Sequence, residues 1–357
     1  MSRPRPTLRS ARSRRAATAS AVLGALAITA CGSTPVSLSA KHSPTPAKTA
    51  TPAATAAPTP PPTPTPAPPV AGATYAAPAL VQIENLNDAR PESGLSSANV
   101  VYEYSAEGGI GRFTVIYFST PKGAVGPVRS ARLISPVLVQ QYGGTLVYSG
   151  SSAYVFHRLN DNHTPRFDET SAGRDMFRIS SRSAPHNLYT DGGRIDDMVR
   201  RSARPAVSYT LWSRATTAPG GRPATSFVVS VSPSERPAYS WAANLNGYVR
   251  TEPDTGAFID ADTNNLVVAP TVVVMQVPAR INPADIENGC CTAGWEYTLG
   301  GSGPAEVFTG GTEWDAQWSQ GASGAPQFTL AGGGAAPIAP GLVWICVVPA
   351  GQSAAFH

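Results

Sequence analysis

The sequence has little of three things: cysteine, histidine and apolar runs long enough to cross a membrane. Its 357 residues include four cysteines and five histidines. The apolar stretch at residues 16–30 is shorter than the about 20 residues that a membrane-spanning helix needs.

His157, Asp161 and His163 lie close together, but their spacing matches no compact zinc motif such as H-E-x-x-H. We therefore expect no metal site and no cofactor.

An excess of basic residues is also lacking once the first 30 residues are set aside. Six arginines and no acidic residue occur there, which leaves 21 basic against 23 acidic residues in the rest of the chain. Nucleic-acid-binding domains usually carry a basic patch and a high isoelectric point. The near-neutral remainder gives no support for a nucleic-acid partner.

The first 31 residues have the pattern of an export signal. A basic stretch precedes the apolar residues 16–30, and Ile28-Thr29-Ala30-Cys31 resembles the lipobox of bacterial lipoproteins. We predict a lipoprotein signal peptide at residues 1–30 and lipidation of Cys31, whose acyl chains would anchor the protein in a membrane. The protein would then face the extracytoplasmic side, at the cell surface or in the periplasm. An ordinary cleavage site beside an incidental cysteine is the alternative.

The composition changes several times after the lipobox. Residues 31–78 are rich in Pro, Thr and Ala and have almost nothing large and apolar to bury, so we predict a disordered tether behind the lipidated cysteine. Strand and helix patterns alternate at residues 79–205 and indicate an N-terminal mixed α/β domain. Residues 206–225 are predicted as a linker, and residues 226–350 as a β-rich C-terminal domain or extension. The predicted fold class is α+β.

Local patterns predict the main elements of both halves. Strands rich in Val, Ile, Tyr and Phe are predicted at residues 80–84, 100–104, 112–119 and 145–148. A helix is predicted from Ser130, its N-cap, to Tyr142, although Pro136 favours a kink or a later start. In the C-terminal half, Gly310-Gly311 between two β-like runs predicts a tight hairpin.

The six tryptophans are candidates for stacking on the sugar rings of an envelope polymer. Trp314 and Trp318 fall on one face of the second strand of the predicted hairpin. This alternation favours a role in the core over a carbohydrate platform for these two residues.

Several sequence blocks resemble those of the YerB-like bacterial lipoproteins. The N-terminal blocks are ARPESGL at 89–95, ANVVYE at 98–103, EGG at 107–109, RF at 112–113, GPVRSAR at 126–132 and APHNLY at 184–189. Similar runs in the C-terminal half lie at 272–276, 301–305 and 340–344. The resemblance implies a protein with an N-terminal and a C-terminal domain of unknown function and no established reaction. The chain departs from the usual pattern at Glu84, which replaces the first of two asparagines.

Charged and polar residues within these blocks are the candidates for ligand binding. They are Glu103, Glu107, Arg112, Arg129, Arg132, His186 and Asn187. Arg129 and Arg132 follow a buried-looking strand, where they could reach Glu103 or Glu107 or recognise an anionic group. The resemblance singles out His186, either as a ligand contact or base, or as a structural histidine. No catalytic residue is assigned.

The sequence favours a membrane-anchored module of the cell envelope that binds a ligand or a protein. The expected partner is peptidoglycan or an envelope protein. The alternative is a polysaccharide or peptidoglycan hydrolase that uses Glu107 or Glu103 with His186. On an extended strand Glu103 and Glu107 would lie about 13 Å apart, farther than the about 5–9.5 Å that separates glycosidase carboxylates.

Three cysteines remain once Cys31 is lipidated. In an exported protein, a disulfide from one of the neighbours Cys290 and Cys291 to Cys346 would link segments of the β-rich region. We favour a bond between Cys291 and Cys346, which leaves one thiol free.

Overall fold

The computed structural model describes residues 73–209, 211–212, 214–253, 255–287 and 292–356. The predicted signal peptide, Cys31 and nearly all of the predicted tether lie outside these residues. The described residues fall within one compact unit. Each helix that they form is too short or too polar to reach across a lipid bilayer.

The N-terminal half alternates strands with helices. Its strands are β1 (Ala73–Tyr75), β2 (Ala79–Glu84), β3 (Val100–Ser105), β4 (Gly111–Tyr117), β5 (Ala124–Val125), β6 (Thr145–Val147), β7 (Arg166–Phe167), β8 (Phe177–Arg178), β9 (Leu188–Asp191) and β10 (Val207–Tyr209). Its α-helices are α1 (Ile134–Tyr142), α2 (Ala153–Asp161), α3 (Glu169–Ala172) and α4 (Gly192–Ser202). Short 3₁₀ helices occur at Asn87–Ala89, Leu95–Ser97, Glu107–Gly109 and Gly173–Asp175.

The described C-terminal half is built from strands and turns. The strands are β11 (Arg222–Pro223), β12 (Ser226–Val228), β13 (Ala238–Ala242), β14 (Gly247–Glu252), β15 (Gly256–Ala257), β16 (Ile259–Asp260), β17 (Asn265–Leu266), β18 (Val268–Ala269), β19 (Thr271–Val277), β20 (Ala279–Ile286), β21 (Ala293–Tyr297), β22 (Gly301–Thr309), β23 (Thr312–Gln320), β24 (Gln327–Leu330), β25 (Val343–Pro349) and β26 (Ala355–Phe356). The predicted α+β class, with a mixed α/β part followed by a β-rich part, is confirmed.

One eleven-stranded sheet runs through both halves of the described chain. Its order is β11-β23-β22-β19-β25-β3-β4-β2-β6-β7, with β24 beside β23. The two halves meet at β25, which pairs in parallel with β19 on one side and with β3 on the other. The linker predicted at residues 206–225 therefore does not separate two sheets, because the C-terminal half extends the sheet of the N-terminal half.

Both faces of this central sheet are covered, which explains why its inner strands are nearly continuous apolar runs. Every residue of β2, β3 and β4 is buried. On one face, Val81 and Phe113 pack in a cluster with Tyr248 from a second sheet, of order β15-β14-β13-β12-β26 with β18 beside β14. On the other face, Tyr102 packs in a cluster with Leu138 of α1.

The helix ends suit the residue types found there. The side chains of Ser152 and Asp191 accept hydrogen bonds from backbone N–H groups three residues on, and so cap α2 and α4. Gly143 ends α1 in the left-handed conformation, with a φ of 64°. Because α1 begins at Ile134, the N-cap predicted at Ser130 is wrong, and the later start that Pro136 favours is the one observed.

The predicted Gly-Gly hairpin is present. Strands β22 and β23 pair antiparallel, and their two-residue turn, Gly310-Gly311, has φ angles of 60° and 72°. Trp314 and Trp318 on β23 are both buried, so the predicted core role of these two rings is confirmed.

Candidate functional site

The segment GPVRSAR, residues 126–132, runs alongside the end of β2. The backbone N–H of Glu84 donates to the carbonyl of Pro127 at 3.1 Å, and the N–H of Arg129 donates to the carbonyl of Gln82 at 2.9 Å. These bonds keep the segment extended almost to the start of α1. Its arginines therefore project from an extended chain beside the sheet and not from the first turn of a helix.

Three arginines, two glutamates and one histidine form what we call the arginine cluster. Its members are Arg112, Arg129, Arg132, Glu84, Glu107 and His186. Arg129 Nε lies 3.0 Å from Glu84 Oε1, and Arg132 pairs with Glu107. Arg112 is buried and donates from Nη1 to a backbone carbonyl at 2.9 Å. The expected pairing with Glu107 is thus found for Arg132, whereas Arg129 pairs with Glu84, the residue that departs from the family pattern.

Two of the three arginines of the cluster, Arg129 and Arg132, have carboxylate partners, whereas Arg112 has none within ion-pair distance among the described residues. His186 Nδ1 lies 2.9 Å from Oε2 of Glu84, which is fully buried. Burial and the nearby Arg132 guanidinium lower the pKa of Arg112 to about 10. Burial raises the pKa of Glu107 while Arg132 and Arg112 lower it, and the net pKa lies below the ordinary value. The pairs of Arg129 with Glu84 and of Arg132 with Glu107 favour the structural ion-pair interpretation for the two arginines of GPVRSAR.

The other two predicted site residues have partners outside the arginine cluster. Asn187 accepts a hydrogen bond from Arg178 at 2.7 Å, beside the β8–β9 pairing. Glu103 accepts hydrogen bonds from Arg250 at 2.6 Å and from Trp344 Nε1 at 2.7 Å. Side chains alternate along a strand, so Glu103 lies on the opposite face of the central sheet from Tyr102 and Tyr104, the residues on either side of it in β3.

The hydrolase alternative needs His186 close to Glu107 or Glu103. The ionic partners of these three side chains are instead Glu84, Arg132 and Arg250, respectively. The observed contacts therefore lend no support to an acid–base pair built from these residues.

A cleft of about 460 Å³ opens at the ends of β2 and β14. Its walls are residues 85–88, Arg90, residues 110–111, residues 233–236 and residues 252–253. The side chains of Arg90, Glu235 and Glu252 form its floor, and each is at most 7% exposed. We call this feature the Glu235 cleft.

Two guanidiniums and three carboxylates form a network at the floor of the Glu235 cleft. Arg250 Nη2 lies between 2.5 and 3.1 Å from an oxygen of each carboxylate, those of Glu103, Glu235 and Glu252. Arg90 Nη2 lies 3.1 Å from Glu235 and 3.5 Å from Glu252. The carboxylates thus outnumber the guanidiniums by one.

The surplus negative charge is offset by a proton. Burial, then the Glu103 carboxylate and a hydrogen bond with Glu252, raise the pKa of Glu235 to about 9. Burial lowers the pKa of Arg250, but Glu103 and Glu252 raise it to a net value above the ordinary one. This shift favours the uncharged acid form of Glu235 at neutral pH, and one proton held there balances the surplus carboxylate.

The three carboxylates are close enough together to hold a metal ion, with oxygens within 4.8 Å of one another. However, nitrogens of Arg90 and Arg250 already lie 2.5–3.5 Å from the same carboxylates, which leaves no room for a metal ion to approach all three at the short distance of a ligand bond. We therefore assign no metal to this group.

Glu92 is a further buried acid near Arg90, and both of its side-chain oxygens lack a hydrogen-bond partner among the described residues. Burial raises its pKa to about 8 from 4.5, against the opposing effect of Arg90. Ionisation of Glu92 therefore destabilises the folded protein. As the pH rises from 4.5 to about 8, the free energy of unfolding falls by about 1.4 kcal/mol per pH unit. Between about pH 6 and 8 we expect Glu92→Gln to gain about 2–3 kcal/mol relative to the wild type in urea denaturation. A difference that stays constant with pH would contradict this expectation.

The predicted disulfide is not formed at Cys346. Its thiol is free and fully buried, 3.4 Å from the Tyr239 hydroxyl and 3.8 Å from a Glu103 oxygen. Alternation along β25 turns Cys346 to the same inner face as Trp344, between the two sheets. Cys291 lies outside the described residues.

The residues of the Glu235 cleft were missed by sequence reasoning. Arg90 lies in the ARPESGL block, which indicates the family but no network of charges. Glu235 and Glu252 occur in the turn-like strings SERP and TEP. Acidic residues within one or two positions of a proline are ordinarily solvated, so nothing local marks these two as buried.

Comparison with known proteins agrees with the resemblance seen in the sequence. Residues 64–205 match the family described as "Protein of unknown function (DUF3048) N-terminal domain", and residues 227–345 match its C-terminal domain. "Putative lipoprotein YerB" of Bacillus subtilis (strain 168) is 36% identical over 118 residues, which are 33% of this chain and 36% of that protein. The match thus spans about a third of the length of this relative.

The fold also has a counterpart among solved structures. The crystal structure of YerB from Bacillus subtilis superposes with a TM-score of 0.67 at 23% identity, over 80% of this chain and 94% of that one. The predicted family membership is confirmed: with both of its domains matched in order, the chain belongs to the DUF3048 family of YerB-like proteins.

Proposed function

We propose that this protein is a lipid-anchored, extracytoplasmic binding module of the cell envelope, and that its Glu235 cleft binds a ligand with a free amino group. The anchor is supported by the predicted lipidation of Cys31 and by the name of the YerB relative, which describes a lipoprotein. Peptidoglycan peptides carry free amines and occur in this compartment, so peptidoglycan is the partner that we propose.

The surplus carboxylate at the floor of the Glu235 cleft carries this proposal. Glu103, Glu235 and Glu252 face two guanidiniums, and a proton on Glu235 cancels the remaining charge. An ammonium group can replace that proton, because it brings the same positive charge and three hydrogen-bond donors. Binding of an amine would therefore release the proton of Glu235 to the solvent.

The surroundings of Glu235 hold its carboxyl group in a fixed orientation. Asn85 Nδ2 donates to Glu235 Oε1 at 2.9 Å, and Asn85 Oδ1 accepts from Arg90 at 2.9 Å. Ile110 and Pro253 add apolar wall to the same cleft. A mostly enclosed floor with a few oriented polar groups is typical of a site for a small polar ligand.

Glu235→Gln tests this proposal, because glutamine keeps the shape of the protonated acid and cannot ionise. We expect stability near that of the wild type at neutral pH, and at least about tenfold weaker binding of an amine. The measurement is titration calorimetry of the full chain with soluble muropeptides, before and after acetylation of their amines. Glu296→Gln is the matched control, since Glu296 pairs with the exposed Arg280 outside the Glu235 cleft.

The pH dependence of binding gives a second readout. Because the amine pairs with ionised Glu235, the affinity should rise by up to about tenfold per unit between about pH 6 and 8. Proton release should also make the binding enthalpy depend on the ionisation enthalpy of the buffer. Binding that survives acetylation of the ligand, or that Glu235→Gln leaves unchanged, would overturn the assignment of an amine to this cleft.

A further inference from the structure

A second pocket, of about 540 Å³, lies where the β22–β23 turn meets the β13–β14 turn and the loop at residues 216–221. Trp241, Trp314 and Thr312 are among the residues that line it. We call it the Trp241 pocket. Its volume falls within the about 300–1,000 Å³ of typical small-molecule sites.

The residues that line the Trp241 pocket carry no charge. Their polar side chains belong to Thr216, Thr217, Asn246 and Thr312. Among the described residues, no other group forms a hydrogen bond with any of these four side chains, so their donors and acceptors are free to meet a ligand. An uncharged wall of hydroxyl and amide groups suits a neutral, hydroxyl-rich ligand better than an ion.

Trp241 supplies an aromatic surface beside these polar groups. Its ring is partly exposed and packs edge-on against Tyr248, with 5.1 Å between ring centroids. A Cβ atom on Gly311 would lie 3.1–3.4 Å from three atoms of the Trp241 ring, so glycine is what allows the hairpin turn to approach it this closely. The ring is thus held by two neighbours while part of its surface stays exposed.

Trp314 forms another part of the wall of the Trp241 pocket. It is buried, and its Nε1 donates to the carbonyl of Ala218 at 3.2 Å. A Cβ atom on Gly221 would lie 2.6 Å from Cε2 of the same ring. These contacts hold the loop that carries Thr216 and Thr217, so the pocket is formed before a ligand arrives.

We propose that the Trp241 pocket binds a sugar unit of a neutral glycan. Trp241 stacks on the apolar C–H face of the sugar ring, and the threonine hydroxyls and the Asn246 amide bond to the sugar hydroxyls. A sugar ring combines an apolar face with a rim of hydroxyl groups, which matches an indole flanked by uncharged polar side chains. No described residue lines both this pocket and the Glu235 cleft, so the two sites can fail independently.

Titration of the full chain with two neutral probes, the tetramer of N-acetylglucosamine and maltotetraose, tests this site. We expect the wild type to bind at least one of them and Trp241→Ala to bind it at least about tenfold more weakly. The double variant Thr216→Ala/Thr217→Ala removes two exposed hydroxyls and should weaken binding by about three- to tenfold. It decides the question if Trp241→Ala fails to fold, because neither hydroxyl bonds to another described residue.

Trp295→Ala is the matched control. Trp295 is also partly exposed, stacks on Tyr297 with 6.1 Å between ring centroids, and lies in the β20–β21 pair away from the Trp241 pocket. It should bind the probe as tightly as the wild type. The proposal is overturned if the wild type binds neither probe at millimolar concentration, if Trp295→Ala loses as much affinity as Trp241→Ala, or if the threonine variant binds like the wild type.

Discussion

Arg250→Met should lower the free energy of unfolding by about 3–5 kcal/mol at neutral pH, the range found when one partner of a buried ion pair is removed. Arg250 is 1% exposed, and its Nη2 is the one cation within ion-pair distance of Glu103 among the described residues. Its guanidinium also lies 4.4 Å from the ring centroid of Phe258 and 5.4 Å from that of Trp344. The variant therefore keeps a buried carboxylate without its charge partner and loses cation–π contacts as well. Urea denaturation followed by circular dichroism measures the loss.

The loss should shrink as the pH falls to about 5, because carboxylates freed from Arg250 take up protons and lose their charge. Arg280→Met is the control. Arg280 is 75% exposed at its side chain and pairs with Glu296 at 2.6 Å, and exposed pairs of this kind contribute less than about 1 kcal/mol. If Arg250→Met costs no more than this control, the buried network does not stabilise the fold in the way described.

Individual strands of the sheet could be predicted wherever the residue pattern within one segment was enough to indicate a strand. The strands expected at residues 80–84 and 100–104 are found at Ala79–Glu84 and Val100–Ser105. The Gly310-Gly311 turn could also be predicted from local sequence, because positive φ angles and the alternation of side chains depend on neighbouring residues. The parallel pairing of β25 with β3 was not predictable. It joins distant segments, and no local pattern says which buried strands become neighbours.

The candidate site likewise combines contacts that local sequence could predict with contacts that depend on distant segments. The sequence predicted that Arg129 and Arg132 could reach Glu103 or Glu107, and one of these pairs, Arg132 with Glu107, is found. The pair of Arg129 with Glu84 was not predicted, because it depends on an extended segment that lies beside β2. The Glu235 cleft needs four separate segments, at residues 85–90, 110–111, 233–236 and 252–253, to meet over one buried arginine. Its acidic residues have the sequence surroundings of solvated turns, so burial and charge pairing become visible only in the folded chain.

The buried charges of the arginine cluster should be as sensitive to the loss of a partner as those of the Glu235 cleft. We expect Glu107→Ala to lower the free energy of unfolding by about 3–5 kcal/mol at neutral pH. The variant leaves Arg132, which is 6% exposed, with the more distant Glu287 at 3.3 Å. It also leaves Arg112, which has no carboxylate within ion-pair distance among the described residues, without its nearest opposing charge. Chemical denaturation measures the loss.

The sign of the pH dependence follows from the pKa of Glu107, which lies below its ordinary value of 4.5 in the folded protein. Its stabilisation is therefore present above that value and is lost as the pH falls through the folded pKa, so the gap between wild type and Glu107→Ala should close in acid. Glu169→Ala is the exposed control, with a pair to Arg178 that is 40% and 43% exposed. Glu107→Gln/Arg132→Met should recover much of the loss, since replacing a whole buried pair by uncharged side chains is often neutral. If Glu107→Ala costs as little as Glu169→Ala, the ion pair does not hold this junction. The arginines of GPVRSAR would then be free for an anionic ligand, the interpretation that the sequence left open.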